Sequence, residues 1–205
     1  MSIKGLLAAF CAASVIFLIA APCPGFNVET RDALVVDAIE FCPQELRMYL
    51  LGQREAVKSG MFFSDTADLK VNPKNIPELY QTLIERIESD RLDEYNTATL
   101  FGVLANHIAE TVYPGHQNSS QNLAPDIVSY DGYHPVEDPD IKSYAIMKSY
   151  EHFHGSRTPE VSDRMYEISV NLIVDFWMSA WAAAGMSIDD ALPFGEEVAH
   201  DARMQ

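Results

Sequence analysis

The chain is expected to fold as an all-α, single-domain helical bundle. Three observations point there. Apolar residues recur at helical spacing in segment after segment. Those segments begin and end at capping and breaking residues. No run of alternating apolar residues bounded by turns is present. No internal repeat is visible.

Thr30 caps a first helix to about Phe41, with Leu34, Val35, Ala38 and Ile39 as its stripe. Pro43 opens a second, striped by Leu46, Leu50 and Val57 and ended by Gly60. Pro77 starts a third through Leu79, Leu83, Ile84 and Ile87. A fourth runs from about Leu92 to Tyr113, where Pro114 breaks it. Residues 116 to 138 are rich in Asn, Ser, Asp, Pro and Gly and are read as loop. Pro139 begins a short helix to about His152. Thr158-Pro159-Glu160 opens a long helix ending at Gly185, with the stripe Met165, Ile168, Leu172, Phe176, Ala180 and Ala184 and, beside it, Ile173, Trp177 and Trp181. Ser187-Ile-Asp-Asp190 is expected to start a last short helix. The tail after Pro193 is expected to be weakly ordered.

Met1-Ser-Ile-Lys4 followed by the apolar run Gly5–Ala21 has the layout of a secretory signal. Its 17 residues fall short of the ~20 a bilayer span needs. We therefore expect residues 1–22 to be a cleaved signal peptide and 26–205 the folded domain, secreted or periplasmic and without a stable transmembrane span, with an uncleaved membrane anchor as the alternative. About 180 residues suffice for one core. Cys11 leaves with the signal. Cys23–Cys42 is the one intrachain disulfide open to the mature chain if Cys23 survives cleavage; otherwise Cys42 is a lone thiol packed at a helix end.

The net charge of −16, with no Lys/Arg cluster, argues against a basic groove for long nucleic acids. The protein is expected to be a monomer.

The chemistry lies in two clusters. Asn106 and Glu110 are one helical turn apart, and His116 follows the Pro114 break. His134 and Asp138 repeat the i, i+4 spacing, and imidazole and carboxylate groups so placed can converge on a metal.

Phe101-Gly-Val-Leu-Ala-Asn-His-Ile-Ala-Glu-Thr-Val-Tyr-Pro-Gly-His116 resembles the central motif of the zinc-dependent phospholipase C / S1–P1 nuclease superfamily, a helical His-x-x-x-Asp followed by Pro-x-His. His134-x-x-x-Asp138 is similar to its later His-x-x-x-Glu/Asp pair, and Ser59-Gly-Met-Phe-Phe-Ser-Asp65 to its Gly-x-x-x-Pro-Asp. The long helix ending Trp181-Ala-Ala-Ala-Gly185 looks like its C-terminal helix. The resemblance implies an all-α domain holding Zn2+ in a cleft, where metal-bound water hydrolyses a phosphate ester. The substrate would be a small phosphate ester or a phospholipid. The resemblance makes His116, His134 and Asp138 one zinc site with an open fourth position. Glu110 would bridge two further metals, Asp65 would ligate, and Asp65 or Glu110 would be the general base.

The departures are specific. Asn106 stands where the motif has histidine, and an amide oxygen is a poor zinc ligand beside imidazole. His107 could replace it only if the helix rotates or bulges. No histidine lies between Asp65 and Asn106, and Phe26 and Arg31 occupy the stretch that supplies N-terminal ligands in the family. The implied metal count falls from three to one, or at most two. Glu110 is open to two readings, a helix-face carboxylate facing a metal or a buried charge paired with arginine. His107, His152 and His200 are read as surface or satisfied core residues, and the same reading is preferred for His154. The rival to a hydrolase is a catalytically inactive family member that binds a ligand or partner.

Overall fold

In the computed structural model, residues 26–62, 76–89, 91–92, 95–112, 124–125, 127–143, 145, 159–189 and 197–199 are described. The described part is mostly helical. It comprises α1 (Val28–Glu40), α2 (Gln44–Gly52), α3 (Arg54–Phe62), α4 (Ile76–Glu88), α5 (Tyr95–Val112), β1 (Ile127–Ser129), α6 (Pro159–Ala183) and β2 (Glu197–Ala199). A short helical segment covers 139–143.

Local signals place most ends. Asn27, not Thr30, caps α1: its Oδ1 accepts the Thr30 amide at 2.8 Å. The helix expected from Pro43 to Gly60 is two helices. Gln53 is non-helical, and its amide bonds back to Tyr49 and Leu50, closing α2 before α3 starts. At the end of α6, Gly185 has φ +83°, its amide reaching Ala182 O and the Met186 amide reaching Trp181 O, a Schellman closure. The helix expected at Ser187 does not form in the described part; Ser187 makes a local turn with Asp189. Of the chain after Pro193, only residues 197–199 are described, and Glu197, Val198 and Ala199 pair antiparallel with Ser129, Val128 and Ile127.

The core is built around α5 and α6. α5 is buried on nearly all sides, and its closest partner is α3. Their crossing is glycine on glycine. A Cβ on Gly60 would run into Thr99 O, and one on Gly102 into Val57 O. On the other side, Trp177 of α6 packs edge-on against Phe101 and donates Nε1–H to the Phe101 carbonyl at 3.0 Å. Cys42 is a buried free thiol just past the end of α1, bonded to Ala38 O, and burial raises its pKa; Cys23 lies outside the described residues. No described helix is long and apolar enough to cross a membrane.

Candidate functional site

The α1 cap aims Arg31 at the bundle. One residue beyond the Asn27–Thr30 bond, its side chain crosses to the end of α3 and the middle of α5. Nε donates to Phe26 O at 2.8 Å and Nη1 to Met61 O at 3.3 Å. Nη1 also reaches Asn106 Oδ1 at 2.8 Å, and Nη2 reaches Glu110 Oε1 at 3.3 Å. Asn106 is buried, so its amide oxygen needs a donor, and the guanidinium supplies it. One rigid fork thus joins Asn106 and Glu110, which do share a face as their spacing implies. Glu110 pairs with Arg31, with its side chain partly exposed rather than buried. His107, the next residue on α5, is half-buried. Burial lowers its pKa, and the charge of Glu110 opposes that shift.

The second cluster lies on α6. Asn171, Asp175 and Ser179 are spaced i, i+4, i+8, and each accepts an amide from the segment after β1. Asp131 N donates to Asn171 Oδ1 at 2.9 Å, His134 N to Asp175 Oδ1 at 2.8 Å, and Val136 N to Ser179 Oγ at 2.8 Å. Asn171 Nδ2 also donates to Ser129 O. Gly132, at φ +91°, provides the left-handed turn this path requires. Three α6 side chains therefore do for this segment what a neighbouring strand would do.

The result places His134 beside two carboxylates, with Nδ1 3.7 Å from Asp131 Oδ1 and 4.0 Å from Asp175 Oδ1. Asp175 is almost wholly buried, and Lys142 Nζ lies 3.3 Å from its Oδ2. Burial raises its pKa to about 6, held back by the His134 amide and by Lys142. Around these groups is a pocket of about 480 Å³, within the range of small-molecule sites. Tyr130, Arg164, Glu167, Ile168 and Leu172 also line it.

Asp138 is drawn into local structure, its Oδ1 accepting the amides of Asp140 and Ile141 at 3.0 Å and capping the 139–143 segment. Asp65 and His116 lie outside the described residues. Among the described residues, no group of three or more His, Cys, Asp or Glu side chains is placed to hold a metal ion.

The sequence singled out Asn106, Glu110 and His134 as metal-site residues, whereas Asp131, Lys142, Asn171 and Asp175, which surround His134 in the structure, were not singled out. The available signal was an amide and a carboxylate one turn apart in the otherwise apolar run Val170–Trp177. No protein-family model, curated protein or solved structure matches the chain.

Proposed function

We propose that this is a divergent, exported member of the phospholipase C / P1 nuclease superfamily that binds a small ligand without multi-metal hydrolysis. The observation that carries this is the Arg31 fork on Asn106 and Glu110. These are two of the positions the resemblance assigns to metal ligands. A fixed guanidinium there satisfies the amide oxygen and the carboxylate and opposes a second cation by charge. Neutral Asn106 suits arginine as a partner, as histidine would suit zinc.

Zinc titration tests the exchange. Asn106→His alone should leave zinc stoichiometry unchanged, because Arg31 still occupies the place. Arg31→His with Asn106→His should add one zinc. If the single change adds it, Arg31 does not stand in for a metal. Intact mass from an exporting host tests loss of residues 1–22; the full-length chain in the membrane fraction would overturn export.

A second reading keeps one zinc at His116, His134 and Asp138 and a phosphoesterase activity, with Asp65 or Glu110 as base. It is favoured by His134, whose Nδ1 faces carboxylates, the arrangement that leaves Nε2 to a metal. About one zinc per chain, lost in His134→Ala together with hydrolysis of a chromogenic phosphodiester, would establish it over the binding reading. Zinc-free protein, purified without chelator, would end it.

A further inference from the structure

The pocket on α6 is a groove with a defined polarity. Arg164, Ile168, Leu172 and Asp175 lie on one face of the helix, spanning about 16 Å at 1.5 Å per residue. The deepest charged group is Asp175, whose side chain is 3% exposed. In front of it Lys142 is 31% exposed and the His134 imidazole 56%, and at the shallow end Arg164 is 67% exposed. The buried carboxylate thus holds one side of a partly exposed ammonium that carries three N–H donors. The chain has only 14 Lys and Arg residues, yet two of them and a histidine line this one cavity. Between the charged ends, Ile168 and Leu172 stay half-exposed, an apolar strip that water covers poorly. Asp131 and Glu167 also line the groove. The first lies 3.7 Å from the His134 imidazole, which pairs with it only when protonated, and the second 3.6 Å from Arg164.

We propose that this groove binds a small amphiphilic anion, its phosphate or carboxylate group at Lys142 and His134 and its apolar part along Ile168 and Leu172. This gives the binding reading above a site and a ligand class, and in that respect rests on it. Asn171 holds the opposite wall to α6, so the groove exists before the ligand arrives.

The test is calorimetric titration of the purified full chain with phenyl phosphate, phenylacetate, inorganic phosphate and phenethylammonium. Phenyl phosphate should bind most tightly, and inorganic phosphate at least tenfold more weakly because it leaves the apolar strip bare. Lys142→Gln should weaken phenyl phosphate at least tenfold, and Lys142→Arg should restore most of that. Leu172→Ser should weaken phenyl phosphate but not inorganic phosphate. Amide chemical shifts of 129–134 should move with the first two probes, which separates a local effect from unfolding. Absence of binding by both phenyl phosphate and phenylacetate would overturn the proposal, as would binding of phenethylammonium in their place. Binding that disappears when a chelator strips the protein would place the anion on a metal and overturn it too. The zinc titrations on Arg31 and Asn106 read none of these groups, so either proposal can fail while the other stands.

Discussion

Arg31 Nη1 donates to Asn106 Oδ1 at 2.8 Å, joining residues 75 apart in sequence at the first turn of α1 and the middle of α5. Asn106 is 4% exposed, so loss of the donor strands a buried amide oxygen, and Glu110 loses its cation as well. Arg31→Met should cost about 2–4 kcal/mol in urea unfolding. Asn106→Leu, which removes the other half, should not add to it: the double-mutant cycle should give a coupling of ~1 kcal/mol or more. Additive effects would show that the bond contributes nothing specific.

Gly60 and Gly102 should both resist alanine. On an exposed helix that change gains about 1 kcal/mol. Here each new methyl meets a carbonyl of the opposite helix, so α3 and α5 must separate. Each substitution should cost about 3 kcal/mol by chemical denaturation. A stabilised Gly102→Ala protein would mean that the crossing is looser than described.

Asp175 predicts the direction of one pH effect. Its folded pKa of about 6 lies above the ordinary 3.8. The stability it contributes is therefore full below 3.8 and is lost as pH rises through about 6, roughly 3 kcal/mol in all. Asp175→Asn keeps an acceptor for the His134 amide and removes the titration. Relative to the unmodified protein, the variant should be more stable at pH 7.5 than at pH 4.5. A stability gap that does not change between those two values would contradict this.

Gly185 closes α6 with φ +83°, and a Cβ there would meet no atom. Gly185→Ala should therefore cost only the left-handed backbone penalty, about 1 kcal/mol. A loss above 3 kcal/mol, read as a shift of the urea midpoint at unchanged slope, would point to a contact the geometry lacks.

The sequence by itself determined the helical class and most of the helix ends. Apolar periodicity, Pro159 and Gly185 act within a few residues, and such local effects survive without tertiary context. It also determined that residues 106 and 110 share a face, which follows from the helical repeat alone. What local spacing could not decide was the partner on that face. The fork of Arg31 arrives from 75 residues away, and only the packing of α1 against α3 and α5 brings it there. The same reason hid the α6 ladder. Asn171, Asp175 and Ser179 lie beside the apolar stripe, and nothing near them in sequence shows their role, which appears only when the segment after β1 lies along α6 and donates its amides. The break at Gln53 and the pairing of β1 with β2 likewise depend on backbone bonds closed in the folded chain. Burial, which raises the Asp175 pKa and demands a donor for Asn106, is a property of the assembled core and of no single segment.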